Sequence, residues 1–205
     1  MRRTSTHLDH LALGIRATID IGFIVVLFLM IAGKLREPTP FREINEIQLP
    51  SSVWPVTFDP DGEMATIYIG FGKVMLKLPD TIRKQTLVAM GNKYHLGFSN
   101  EETDKFKRIA IVGMPLDSLK IYIDGYGSDS HNYGLGIRID SARNELGDWI
   151  RESEKACERI TQTKLHFYIY CDQREEYHSV RRIFDILRQQ GEYKWGLVTL
   201  TKSKE

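Results

Sequence analysis

Lys164-Leu-His-Phe-Tyr-Ile-Tyr-Cys171 and Trp195-Gly-Leu-Val-Thr-Leu200 are two apolar segments in the C-terminal part of this sequence. Both are rich in aromatic and β-branched residues, which is typical of β-strands. Residues 175–190 lie between them and carry an apolar stripe at helical spacing, and Gly191 is suited to end the helix. The stripe consists of Tyr177, Val180, Ile183, Phe184 and Leu187. Strand, helix and strand in this order predict a right-handed, parallel βαβ unit.

Upstream of this unit, residues 56–163 alternate between strand-like and helix-like patterns. We expect strands at residues 56–59, 66–69, 74–78 and 137–139. Helices are expected to begin near Asp80, Asn100 and Met114 and after a capping residue, Ser141. The last of these helices carries one apolar face made of Leu146, Trp149 and Ile150. The mixture predicts an α+β fold, a small α/β sandwich with helices on one face of the sheet.

The N-terminal region contains an apolar run, residues 21–32, that has no charged side chain. Extended to residues 11–33, the run reaches the length of about 20 residues that a membrane-spanning helix needs. It then includes Arg16 and Asp20, and a charge at the centre of a span costs about 2.5–3.5 kcal/mol. A secretory signal peptide is the alternative interpretation. An uncleaved anchor is favoured, because no small-x-small cleavage site follows the run.

Residues 34–55 predict an extended linker. Glu37-Pro-Thr-Pro40 is a stiff spacer, and a proline further on stops any helix. The apolar residues of the second half recur with mixed spacing; they are Ile44, Ile47, Leu49 and Pro50. Two interpretations remain open: this segment adds a strand to the edge of a sheet and so binds a partner, or it is a flexible spacer.

The composition excludes several classes of function. A formal net charge of +1 gives no basic footprint for nucleic acid. His131 and His178 have no metal-ligand spacing with Cys157 or Cys171, so neither a metal nor a cofactor is predicted. The two cysteines either pair in an oxidising compartment or lie buried as free thiols. No arrangement of a nucleophile and a base is visible, so we do not expect an enzyme.

Three blocks of the sequence resemble the ExbD/TolR family. The C-terminal block comprises Phe167-Tyr-Ile-Tyr-Cys-Asp172, Tyr177, residues 180–187, Gly191 and Trp195-Gly-Leu-Val-Thr199. The other two are Ile19-Asp20, which opens the apolar run, and Leu49-Pro50 in the linker. They occur in the family's order. The chain departs from the family at Arg16-Ala17, where members have Thr-Pro, and at Cys171, where members have Ala.

The resemblance implies a single-pass protein of the cell inner membrane with a cytoplasmic N-terminus. The implied segments are a cytoplasmic tail at residues 1–10, a transmembrane helix at 11–33, a periplasmic linker at 34–55 and a periplasmic α+β domain at 56–205. Within that domain, residues 81–136 resemble the inserted helical segment of the longer family members.

The resemblance also implies a role for Asp20 as a proton-carrying group. A carboxyl group in apolar surroundings favours its protonated form, because burial disfavours the charge. Arg16, Phe23 and Leu27 would face the channel of a partner subunit. The alternative is that Arg16 and Asp20, four residues apart on a helix, only neutralise each other during insertion. No cofactor is implied other than coupling to H⁺.

Two further residues are candidates for partner binding, together with the four apolar linker residues. Asp172 follows the first strand of the βαβ unit, where a turn or cap residue is the alternative interpretation. Tyr177 opens the apolar stripe of the following helix and is otherwise expected to be a core residue with a polar tip.

The function implied by the resemblance is that of an ExbD-like subunit of a motor. The motor uses the proton-motive force to energise TonB-dependent transport across the outer membrane. The implied partners are an ExbB/TolQ-like multi-helix channel subunit, a second copy of the chain and a TonB-like transducer. Two alternatives remain: a TolR-like role in the Tol-Pal envelope-integrity system with peptidoglycan as a target, and a membrane-tethered periplasmic binding module.

Overall fold

The computed structural model describes residues 20–29, 42–53, 60–126, 134–140 and 143–202. The chain divides into two units, Met1–Thr39 and Pro40–Glu205. In the first unit, residues 20–29 form a helix, α1. Among the described residues, every helix falls short of the length and apolar character that a membrane crossing requires.

The second unit contains helices and strands in mixed order, which confirms the predicted α+β class. Its described strands are β1 Ser51–Ser52, β2 Glu63–Gly70, β3 Lys73–Lys77, β4 Ile111–Val112, β5 Leu165–Cys171, β6 Trp195–Leu197 and β7 Leu200–Thr201. Its described helices are α2 Asp80–Tyr94, α3 Asn100–Lys107, α4 Leu116–Gly125, α5 Glu145–Thr161 and α6 Tyr177–Gln189. A 3-10 helix at Arg42–Glu46 precedes β1.

The main sheet has five strands in the order β4-β3-β2-β5-β6. Strand β5 is parallel to both β2 and β6, whereas β3 is antiparallel to β2 and β4. The parallel pairing of β5 and β6 around α6 confirms the predicted βαβ unit. A separate two-stranded parallel sheet joins β1 to β7.

Burial alternates along β5, because successive side chains point to opposite faces of a sheet. The buried side chains on one face are Leu165, Phe167, Ile169 and Cys171. Helix α5 packs against this strand, and α2 packs against α5. The predicted apolar face of α5 is confirmed, since Leu146, Trp149 and Ile150 are inaccessible to solvent. The ring of Trp149 stacks on that of Phe106, with 6.1 Å between their centroids.

Two local predictions in the middle of the chain are wrong. Residues 137–139 do not form a strand but make one isolated bridge, between Ile139 and Asn144. The cap of α5 is Asn144 and not the predicted Ser141, because the Asn144 side chain accepts a 3.0 Å hydrogen bond from the backbone N–H of Gly147. Ser141 itself and the predicted strand at residues 56–59 lie outside the described residues.

The last predicted strand is divided into two short strands with different neighbours. Strand β6 continues the main sheet, and the N–H of Val198 still donates to the carbonyl of Ile169 at 2.9 Å. Two residues later, the N–H of Leu200 donates to the carbonyl of Pro50 at 2.9 Å. The strand is divided because the segment before β1 provides a second hydrogen-bonding partner.

Candidate functional site

Asp172 lies at the carboxyl end of β5, where its side chain is only 2% exposed. Its carboxylate accepts hydrogen bonds from the backbone N–H, Nε and Nη2 of Arg174 at 2.9, 2.8 and 2.8 Å. A fourth bond, at 3.0 Å, comes from the backbone N–H of Gln48. The Arg174 side chain, followed by the two backbone donors, holds the pKa of the Asp172 carboxyl well below its usual range.

Gln48 belongs to the segment that the sequence predicts as a linker, and it is held on both sides of its backbone. Its N–H binds Asp172, and its carbonyl accepts a 2.7 Å hydrogen bond from the N–H of Gln173. The two glutamine side chains also bind each other, with 2.9 Å between Nε2 of Gln173 and Oε1 of Gln48. The polypeptide before β1 is therefore attached to the loop between β5 and α6.

The attachment continues after residue 48 along the C-terminal end of the described chain. The carbonyl of Pro50 accepts from the N–H of Leu200, and that of Ser52 accepts from the N–H of Lys202 at 3.0 Å. Leu49 and Pro50 are half-buried. This part of the predicted linker forms a strand against its own chain.

Apolar contacts extend the attachment in the other direction. Ile44 packs against the hydrophobic core. Ile47 lies so close to Gly70 that a Cβ at that glycine would be 3.2 Å from Cγ1 of the isoleucine. The end of β2 can therefore receive Ile47 because residue 70 has no side chain.

The turn between β2 and β3 completes this region. The guanidinium of Arg174 lies 5.4 Å from the ring centroid of Phe71, in cation–π geometry. The backbone N–H of Gly72 donates to Oε1 of Glu175 at 2.8 Å. We use the name junction for Gln48, Asp172, Gln173 and Arg174, the four residues that join the linker segment to the β5–α6 loop.

Of the residues that the sequence singled out in this unit, Asp172 belongs to the junction itself. Asp172 binds the linker backbone, and the four apolar linker residues lie along the same segment, so they contact their own chain. Whether they also bind a partner stays a prediction. Chemically, an ionised carboxylate that already accepts four hydrogen bonds is suited to fastening two segments.

Tyr177 does not join this arrangement, and its prediction as a core residue is wrong. Its side chain is 73% exposed. Tyr177 is the first residue of α6, whereas the buried side chains of that helix are Ile183, Ile186 and Leu187. The apolar face of the helix therefore meets the core from Val180 onward and not at Tyr177.

The candidate proton site is described only in part. Asp20 is the first described residue of α1, and Phe23 and Leu27 follow at spacings that place them on the same helical face. All three are exposed. Arg16 lies outside the described residues.

Sequence reasoning missed Gln48 and Arg174. The close spacing of Asp172 and Arg174 is a local signal, because an aspartate and an arginine two residues apart in a turn are able to form a hydrogen-bonded ion pair. No comparable signal exists for Gln48, whose contribution is a backbone N–H.

The described residues include two cysteines and no cluster of metal-binding side chains. No group of three or more His, Cys, Asp or Glu residues there has the geometry to hold a metal ion. Cys157 and Cys171 are both buried and unpaired, and burial raises the pKa of the Cys171 thiol to about 11.

Comparison of the chain with protein-family models, curated proteins and solved structures found no significant match.

Proposed function

We propose that this chain is an ExbD-like subunit of an inner-membrane motor that is driven by the proton-motive force and energises TonB-dependent outer-membrane transport. The observation that carries the proposal is the surface of α1. Its apolar side chains at residues 21 and 23–29 are 46–68% exposed on all sides, and the same helix carries one carboxyl group, Asp20. Helices that are apolar all round belong in a protein core or a membrane.

In this function, Asp20 binds a proton that enters from the periplasm and releases it towards the cytoplasm. Each charge that moves through 100 mV releases about 2.3 kcal/mol, which drives rotation or rocking of the helix. One helix forms no channel, so the proposal requires an ExbB/TolQ-like partner that surrounds a dimer of these helices.

The junction supports the same function from the other unit. In this function, force from α1 is transmitted along the chain to the second unit, where it acts on the segment of residues 44–52. Hydrogen bonds from Gln48 to Asp172 and Gln173 fasten that segment, so tension would act on the β5–α6 loop. The α+β domain would then engage a TonB-like transducer.

The test compares wild type with Asp20→Asn in cells that grow on an iron chelate or vitamin requiring energised uptake. We expect loss of growth in Asp20→Asn and partial growth in Asp20→Glu, because only a titratable carboxyl group carries the proton. Asp61→Asn is the matched control, since Asp61 is an exposed acid in the second unit. Protein level and membrane insertion are measured in parallel.

The same variants distinguish the alternatives. Normal growth of Asp20→Asn would contradict the motor and favour a membrane-tethered binding module. Normal uptake by wild type and by a strain lacking the chain, together with detergent sensitivity in that strain, would favour the TolR-like role with peptidoglycan as its target. Co-purification of the multi-helix subunit, followed by proton-flux measurement in vesicles, tests the channel directly.

A further inference from the structure

An open cavity of about 620 Å³ lies beside the first turns of α6. Its size is within the range of sites that take small ligands or short peptide segments. One wall comes from the loop before α5, and the other comes from the helix. The lining residues are Ile139, His178, Ser179, Arg181, Arg182 and Asp185. We call this cavity the α6 cleft.

Positive charge exceeds negative charge on the helical wall of the α6 cleft. Asp185 is the one carboxylate in the lining, and it is shared between Arg181 at 4.0 Å and Arg188 at 3.8 Å. Arg182 forms no ion pair within the described part of the chain and is exposed. Among the described residues, its guanidinium is therefore open to an anionic ligand.

The loop side of the cleft offers no such surplus. Arg138 and Arg143 both bind Asp117, at 2.6 and 3.3 Å, and the backbone N–H of Arg143 binds Asp140. Arg138 also lies 3.7 Å from Glu145 and interacts electrostatically with Asp140, so these two arginines have three carboxylates around them. Ile139, which directly follows Arg138 in the sequence, contributes an apolar surface to the cavity.

We propose that the α6 cleft binds a short acidic peptide segment of a partner protein, whose carboxylates pair with Arg181 and Arg182 while an apolar side chain contacts Ile139. Guanidinium groups bind carboxylates through two parallel hydrogen bonds, which gives geometric selectivity as well as charge attraction. The carboxylates of a peptide are spaced along its backbone, so they can reach the two arginines without lying against Asp185. A dense polyanion such as nucleic acid would place charge against that aspartate. This site does not depend on the proposed motor function.

The binding test uses the full chain in detergent micelles and two fluorescein-labelled hexapeptides, one alternating Glu and Ala and the other alternating Gln and Ala. Fluorescence anisotropy is expected to show binding of the Glu peptide alone, weakening as salt rises. Arg182→Gln should weaken that binding about tenfold, because one charged hydrogen-bonding group is lost. Arg182→Lys should restore part of it, since lysine keeps the charge without the planar fork.

Arg159→Gln is the matched control. Arg159 is exposed on α5, so its substitution removes the same charge from another helix. Equal weakening by Arg182→Gln and Arg159→Gln would overturn the proposal by showing attraction to net charge alone. Equal binding of both peptides would also overturn it. A duplex DNA or inorganic phosphate that displaces the Glu peptide at lower concentration than the unlabelled peptide would show that the cleft prefers another anion.

Discussion

Asp172 is a carboxylate almost fully removed from solvent, and it is stabilised by four donors from two distant parts of the chain. Desolvation of a charge is unfavourable unless hydrogen bonds compensate for it, and here they do. Arg174 contributes three of the four bonds and is itself positioned over the ring of Phe71. The carboxylate is therefore the residue through which the junction is most easily weakened.

Replacement of Asp172 by Asn should lower the free energy of unfolding by about 1.5–3 kcal/mol, the range for hydrogen bonds that involve a charged group. Urea denaturation followed by circular dichroism measures the change. Asp124→Asn is the control, because Asp124 is exposed and its nearest cation, Lys105, is 3.9 Å away; we expect a change within about 0.5 kcal/mol. Equal effects of the two substitutions would contradict the importance of the junction.

The carboxyl group of Asp172 should also make the stability of the protein depend on pH in the acidic range. Its pKa is lowered in the folded chain, so its contribution is complete above the unfolded value of about 4 and is lost as the pH falls further. Wild type should therefore lose stability between about pH 4 and pH 2 more steeply than Asp172→Asn. Parallel curves for the two proteins would show that the carboxylate is not stabilised by folding.

At the scale of elements, the connection between α2 and α3 depends on one glycine. A Cβ at Gly91 would lie 2.7 Å from the carbonyl oxygen of Leu96 and 2.8 Å from Cδ2 of Phe98. The chain reverses directly after α2, at His95, whose backbone is left-handed with φ of 56°. The close return of residues 96–98 over the last turn of α2 leaves no space for a side chain.

Gly91→Ala should therefore destabilise the protein by about 1–3 kcal/mol, the usual cost of overpacking, although alanine is the better helix former. Gly97→Ala is the matched control six residues later, since a Cβ there would meet no atom within 4 Å. Its stability should be unchanged or slightly raised. Thermal unfolding of both variants measures the contrast, and equal melting temperatures would show that the loop relaxes without cost.

At the scale of the whole molecule, Glu154 links pH to stability in the opposite direction from Asp172. It is half-buried on α5, and its Oε1 is inaccessible and accepts no hydrogen bond within the described residues. Burial, with a smaller contribution from Glu192, raises its pKa to about 7, against the opposing effect of Arg151. Folding therefore favours the protonated form of this carboxyl group.

Because the folded chain holds this proton more tightly than the unfolded chain, stability should fall as the pH rises from about 4 to about 7. Glu154→Gln should remove that loss and exceed wild type by about 1 kcal/mol at pH 8, allowing for partial solvent screening. The two proteins should be equally stable near pH 4. Denaturation at both pH values provides the measurement, with Glu158→Gln, an exposed neighbour on the same helix, as control.

The apolar periodicity of the sequence determined the α+β class and most individual elements. Helix α2 begins at Asp80 as predicted, and β5 matches its predicted segment within one residue. Such predictions succeed because helix and strand formation depends on side chains a few residues apart. The start of α5 and the division of the last strand were missed, because a capping bond and a second hydrogen-bonding partner decided them.

Only the tertiary structure showed that the predicted linker is attached to the loop between β5 and α6. Gln48 and Asp172 are 124 positions apart, and the bond between them uses a backbone N–H that every residue except proline possesses. No pattern of residue types reports such a contact. The arginines and the aspartate of the α6 cleft were visible in the sequence, but the cavity beside them arises only where Ile139 meets the helix, since a cleft is a property of two elements brought together.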